Sequence, residues 1–273
     1  MRPDCGDLRV FDADAMTPLS YWVEGGCGTN ETVIWVKIPH LDATDTRNLY
    51  IRYGDTTAES QSDGPAVFEV FDDFSVDTEA EYTLHSHPSW SGGQFNWITG
   101  SEVLRTDTSN NDFFLTRDGT DIYEEDVWVE VRAFPRDNDG VGSAIWGGDE
   151  DFYTCITNND YPDRPILTEK LISITSLPTE HGQYNILLDF GNLLTPQNNW
   201  SIISMAYDGG FLHCAFNYIR QSATHNIGSS LEVAGWGLAS YANDPAADYD
   251  WFRIRKFAPV QPTATVGDEV VRY

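Results

Sequence analysis

Apolar residues in this chain recur at every second position, and that spacing limits its fold more than any other property. Clear runs are Thr32-Val33-Ile34-Trp35-Val36-Lys37-Ile38, Leu49-Tyr50-Ile51-Arg52-Tyr53, Val127-Trp128-Val129-Glu130-Val131-Arg132 and Trp251-Phe252-Arg253-Ile254-Arg255. Successive side chains of a strand point to opposite faces, so each run has one face to bury and one to leave outward. No long segment keeps an apolar period of 3.6, and Asp-Gly pairs at 63–64, 118–119, 139–140 and 208–209 punctuate the runs. The chain reads as all-β and sandwich-like, and 273 residues with 41% apolar content suffice for a substantial core.

No internal repeat is visible. A change of composition at Asp63-Gly64-Pro65 divides the chain into a small β domain, residues 1–66, and a larger sandwich, residues 67–273. Arg136-Asp137-Asn138-Asp139-Gly140 and Asn158-Asn159-Asp160-Tyr161-Pro162 are the most loop-like stretches. The four cysteines fall two to each proposed domain, which suggests Cys5–Cys27 and Cys155–Cys214 bridges. Three pairings are formally open, and buried free thiols are the alternative in a reducing compartment.

Acidic residues number 43 against 16 basic ones, giving a net charge of -27, and only Lys37, Lys170 and Lys256 are lysines. Such a field repels phosphate backbones and anionic lipid, which excludes nucleic acid and direct membrane insertion as expected modes. A salty environment would tolerate it, because a Debye length of roughly 3 Å at about 1 M salt screens self-repulsion; a merely acidic secreted protein is the plainer alternative. No apolar run reaches the ~18–20 residues of a membrane span. Met1 leads straight into Arg2-Pro3-Asp4-Cys5 rather than a signal core. The expectation is a soluble chain, either part of a larger secreted protein or made without a signal, as a particle component would be.

The segments Cys5-Gly6-Asp7-Leu8-Arg9-Val10-Phe11-Asp12-Ala13-Asp14, Pro18-Leu19-Ser20-Tyr21-Trp22-Val23-Glu24, Val33 to Pro39 and Leu49-Tyr50-Ile51-Arg52-Tyr53-Gly54-Asp55 resemble the domain-of-unknown-function family twenty-three forty-one. The resemblance covers roughly the first 65 residues and lacks the usual opening strand before Arg2. It implies that Phe71-Asp72-Asp73-Phe74 introduces a concanavalin A-like, laminin-G-like jelly roll closed by the strand Asp248 to Arg255. It further implies a surface or extracellular binding module, as in archaeal and bacterial surface proteins. In sandwiches of that kind the acid of the closing strand, here Asp250, helps hold a structural Ca²⁺ with groups near the first strand, here around Asp72 and Asp73. An acid that caps a turn is the plainer reading.

One strand carries the most informative pattern. Val127, Val129 and Val131 alternate inward, placing Asp126, Trp128, Glu130 and Arg132 on the opposite side. There an aromatic plate flanked by charged hydrogen-bonding groups suits a sugar ring. The competing reading is a solvated face with a cross-strand Glu-Arg pair. Related glucanases carry Glu-x-Asp-x-Glu or Glu-x-Asp-x-x-Glu on one strand, whereas Glu124 and Glu130 would stand roughly 20 Å apart on a regular strand. A retaining pair needs about 5 to 5.5 Å, so no catalytic residues are assigned.

The remaining motifs are weaker. Asp137-Asn138-Asp139-Gly140 reads as an Asx-rich turn, and His85-Ser86-His87 as a polar edge without further zinc ligands. Asn30-Glu31-Thr32 and Asn199-Trp200-Ser201 are glycosylation acceptors on an exported chain. Phosphate-binding Gly loops, HExxH, GxSxG and CxxCH are absent. The expected function is a non-catalytic binding module for glycans or glycosylated surfaces in adhesion or attachment, located outside the cell, on its surface or on a virus particle. The first alternative is a self-assembling subunit of a filament, surface layer or virus particle of a salt-loving host, and the second is a glucanase-like hydrolase.

Overall fold

The alternating runs become strands in a computed structural model, which describes residues 1–42, 44–86, 94–98, 101–107, 113–118, 126–136, 140–147, 151–157, 166–171, 185–191, 198–228, 233–241, 247–267 and 269. The N-terminal part holds β1 (Arg9–Phe11), β2 (Tyr21–Gly25), β3 (Val33–Val36) and β4 (Tyr50–Arg52), followed by a single helical turn, α1 (Gly64–Val67). Next come β5 (Val70–Asp72), β6 (Tyr82–Ser86), β7 (Gln94–Ile98), β8 (Val103–Asp107), β9 (Phe113–Arg117), β10 (Val127–Pro135) and β11 (Gly140–Trp146). The chain continues with β12 (Asp151–Thr157), β13 (Ile166–Leu171), β14 (Asn185–Asp189), β15 (Ser201–Asp208) and β16 (Phe211–Phe216). It closes with β17 (Ile219–Arg220), β18 (His225–Asn226), β19 (Gly235–Tyr241) and β20 (Ala247–Lys256).

Two sheets stack face to face. One runs β17-β16-β15-β10-β20-β8-β7, with β18 beside β16 and β5 beside β20, and the other runs β14-β13-β12-β11-β19-β9-β6. The central ladders are antiparallel, as expected for strands with one face packed and one facing outward. Val127, Val129 and Val131 do point into the core, where they meet Ile203, Met205, Phe252 and Ile254 from their own sheet and Val141, Ile145, Trp236 and Leu238 from the facing one. The buried Tyr249 phenol donates to the Ala239 carbonyl at 2.7 Å, so its hydroxyl is satisfied within the core. Among the described residues no helix is long and apolar enough to cross a membrane.

The four cysteines form Cys5–Cys27 and Cys155–Cys214 disulfides. The second joins β12 of one sheet to β16 of the other, and its 59-residue loop stabilises the fold by about 4 kcal/mol on chain-entropy grounds. The first staples the small N-terminal cluster of Leu8, Val10, Leu19 and Tyr21, too small a core to stand without help. The composition change at Asp63-Gly64-Pro65 coincides with α1, whose first turn is capped by the Asp63 carboxylate accepting from the Ala66 N–H.

Candidate functional site

The outer face of the nine-stranded sheet, the one expected to carry the ligand, is divided in two. Over one half lies the β2–β3 hairpin. Across the register β10 places Glu130 opposite Arg253 of β20, and both are fully buried. The Arg253 guanidinium lies 4.2 Å from the ring centres of Trp35 and Trp251, 4.8 Å from Phe68, 5.5 Å from Trp22 and 5.9 Å from Tyr218. Each of its three nitrogens donates a hydrogen bond: Nε to Glu130 at 2.7 Å, Nη1 to Glu24 at 3.0 Å and Nη2 to the Tyr218 oxygen at 3.2 Å. Glu24, at the hairpin's end of this network, also accepts from Trp35 Nε1 at 2.7 Å and from the Tyr218 hydroxyl.

A charge removed from water is tolerable only when paired and hydrogen-bonded, and here both conditions hold. Burial alone would raise the Glu130 carboxyl, but the charges of Arg253 and Arg255 and the hydrogen bonds they donate outweigh it and bring the group down to about 2. Tyr218 completes the network from a strained backbone. It and Asn217 form the two-residue turn between β16 and β17, with φ of 67° and 48°, a geometry that usually selects Asn and Gly. Contacts of the Tyr218 ring with Trp35 and of its hydroxyl with Glu24 offset the cost of holding a bulky residue there.

This geometry corrects two of the four expected sugar contacts. Trp128 is 1% exposed, packed against Ala206, Ala215 and Phe257, and Glu130 is locked between two arginines. Neither can meet a ligand from solvent, because the hairpin and the chain after β20 lie over them. The competing reading, a solvated face with a cross-strand Glu-Arg pair, is corrected in its surroundings: Glu130 pairs across strands with Arg253, and both are buried. Asp126 is exposed, yet it precedes β10 in a left-handed conformation with φ of 72° and shares a hydrogen bond with Asp208 that raises its pKa.

Arg132 belongs to the other half of the face, which no described segment covers as the hairpin covers the first. Its guanidinium sits 4.8 Å from the Trp200 ring and pairs with Asp250. Trp200 is 37% exposed and contacts the partly exposed Phe134 ring at 5.4 Å. A turn at Asn198, whose N–H donates to the Pro135 carbonyl at 2.9 Å, presents Trp200 beside the end of β10. Around this platform Asp248 accepts from Arg105 at 2.6 Å and pairs with Arg136, whose guanidinium lies near the Phe134 ring. Burial would raise the Asp248 carboxyl, and the hydrogen bonds from Arg105 and Arg136 reverse that and hold it low. The result is a surface with aromatic planes and fixed donors and acceptors side by side.

The residues expected to hold Ca²⁺ lie on or next to the neighbouring strands β5 and β20, and each has partners within the protein. Asp250 faces Arg132, while Asp72 is buried and accepts from the Phe74 N–H, the Thr78 hydroxyl and the Tyr82 hydroxyl at 2.9, 2.7 and 3.0 Å. Asp73 accepts from the Ser75 N–H. Among the described residues there is no group of three His, Cys, Asp or Glu side chains placed to hold a metal. His85 lies on β6, the end strand of its sheet, where its ring packs on Trp146 and its Nε2 meets Thr116 at 2.7 Å. His87, Glu124 and the 137–139 segment lie outside the described residues. Asn30 and Asn199 are exposed. Sequence reasoning missed the exposed Trp200 ring beside Phe134 and Arg132, although it stands inside a glycosylation motif, and it missed Glu24 and Trp35 as the cover of the sheet.

The architecture is that of a two-layer antiparallel β-sandwich with a smaller β unit docked on one sheet. Residues 4–93 match the family described as Domain of unknown function (DUF2341), a match that runs past the Asp63-Gly64-Pro65 segment and beyond β6. Solved structures similar to the chain include the carbohydrate binding module CBM66 from Bacillus subtilis, with a TM-score of 0.46 and 11% identity over 65% of this chain and 96% of that one. A xylan beta-1,4-xylosidase from Bacillus halodurans C-125 is similar with a TM-score of 0.48 and 15% identity over 82% of this chain, which spans 47% of that enzyme. A protein of unknown function with a galectin-like fold from Bacillus subtilis is similar with a TM-score of 0.47 and 10% identity, over 68% of this chain and 94% of that one. No curated protein matches the chain.

Proposed function

We propose that this protein is a non-catalytic binding module that takes carbohydrate on the Arg132 half of its nine-stranded sheet and serves in attachment to glycosylated surfaces. The observation that carries this reading is the exposed Trp200 ring, braced by Phe134 and Arg132. An apolar plane beside fixed polar groups matches the two sides of a pyranose, whose C–H face stacks while its hydroxyls bond to charged partners. Residues 1–66 act in this reading as a mount and residues 67–273 as the binding sandwich. Two disulfides favour an oxidising compartment, outside the cell. The non-catalytic part rests on Glu130, whose two arginine partners keep it ionised and out of reach of solvent, unfit to donate a proton at neutral pH.

The test is a broad glycan array, followed by calorimetry on the best hit, with unglycosylated protein at the salt where it is folded. Trp200→Ala should weaken binding at least about tenfold while leaving the unfolding free energy within roughly 0.5 to 1 kcal/mol of the parent, since the ring is a surface group. Retained affinity in that variant, or no glycan bound across the array, sinks the proposal; sugar release from polysaccharides would replace it with an enzymatic reading.

A further inference from the structure

Where the hairpin and the sandwich meet, between Trp22 of β2 and Phe71 of β5, a cleft of about 450 Å³ opens to solvent. It is built of other residues than the Trp200 platform. Gln61, Asp63, Gly64 and Asp73 complete the part of its lining that matters here. The rings of Trp22 and Phe71 meet edge to face at 4.9 Å and are both partly exposed. Gly64 makes this possible: a Cβ there would stand 2.3 Å from the Phe71 ring, so only glycine lets the ring lie against α1. Both carboxylates are exposed, and each uses one oxygen on its own loop, Asp63 for the Ala66 N–H and Asp73 for the Ser75 N–H. Among the described residues neither Lys nor Arg lines the cleft.

Aromatic rings with carboxylates at their edge are the surroundings that select a poorly hydrated positive group; Arg253, 5.5 Å from the Trp22 ring, is fully buried and already paired with Glu130 and Glu24. We propose that this cleft binds a small organic cation, an alkylammonium head group held by Trp22 and Phe71 and neutralised by Asp63 and Asp73. The chain's net charge of -27 raises the local concentration of any such ligand without choosing among cations. The rings supply the choice, since K⁺ and Na⁺ gain little by giving up water for an aromatic face while an alkylated ammonium gives up little water.

The test titrates choline, ethanolamine and the uncharged choline analogue 3,3-dimethylbutan-1-ol into ¹⁵N-labelled protein and follows the indole resonances, Trp22 being assigned through Trp22→Phe. Saturable shifts of the Trp22 resonance are expected with choline or with both amines, which separates a quaternary from a primary source, and none with the alcohol. Asp63→Asn combined with Asp73→Asn should weaken the amine roughly fivefold or more. Should that pair impair folding, Asp73→Asn alone, which removes no helix cap, is expected to weaken binding in the same direction. Absence of saturable binding by either amine, equal binding of the alcohol, or unchanged affinity in the carboxamide variants overturns the proposal.

Discussion

Arg253 and Arg132 occupy the same sheet face, each beside a tryptophan and each paired with an acid, yet their circumstances differ. Arg253 is wholly buried, with three hydrogen-bonding partners and five rings around it. Arg132 keeps about a third of its side chain in solvent, with Asp250 and Trp200 as neighbours. The same kit of Arg, acid and Trp therefore serves as internal scaffold under the hairpin and as presented surface a few residues along the strand. What separates the two roles is coverage. A hairpin some 230 positions earlier in the chain supplies Glu24 and two indole rings to one half of the face, and nothing equivalent among the described residues covers Trp200.

The contrast breaks most visibly at Arg253. Arg253→Ala leaves Glu130 and Glu24 facing each other without their shared cation, and the expected loss is about 3–5 kcal/mol in denaturant unfolding. A loss under about 1 kcal/mol would mean that the hairpin does not depend on this cage. Acid sharpens the same contrast at intermediate size. His213, on the covered side beside Phe257, is lowered from 6.5 to about 4 by burial and by Arg220, so between those values the unfolded chain binds the proton first and stability falls as pH drops. Glu130 is lowered from 4.5 to about 2, so its contribution persists above about 4.5 and is lost as pH falls further. Unfolding free energy measured against pH should thus decline in two successive windows, with His213→Phe flattening the upper and Glu130→Gln the lower; a single unchanged decline in both variants would refute the assignment. The smallest effect belongs to the half outside the hairpin's cover, where Arg132→Ala should cost no more than about 1 kcal/mol, and less at high salt, because an exposed pair is screened. Equal losses at Arg132 and Arg253 would erase the distinction between the halves.

Period two told which residues of β10 face the core, because a strand packed on one side cannot shift by one position without inverting every side chain. For that reason the valines at 127, 129 and 131 were readable, as were the runs that became β3, β4 and β20. The same periodicity says only that Trp128, Glu130 and Arg132 lie on the other side, not what lies over that side. Glu24 looks in sequence like any outward acid of a two-stranded hairpin, and its partner Arg253 like any outward base. Their meeting depends on docking between distant segments, which no local spacing encodes. Trp200 was hidden for a different reason: it sits in a turn next to a left-handed Asn198, outside any alternating run, where periodicity has nothing to report. The cysteine pairs were easier, since two in each half of the chain leave few sensible partners.

The sandwich is entered through β5 and left through β20, and these two strands are antiparallel neighbours joined by three register pairs, Val70 to Ile254, Phe71 to Arg253 and Asp72 to Phe252. Mechanically, its doorway and its exit share one jamb. Tension along the chain would peel such a seam one hydrogen bond at a time, the weakest way to load a strand pair. The middle residue of the seam on β20 is Arg253, and Glu24 grips it from the hairpin, upstream of the seam. A pull between the N-terminal unit and the segment after Lys256 therefore bears on that grip before it bears on the rest of the sandwich, which hangs aside from the load like a bead clipped to a cord. In force spectroscopy the first yielding event should be the hairpin's release, and it should move to lower force when Glu24 loses its charge.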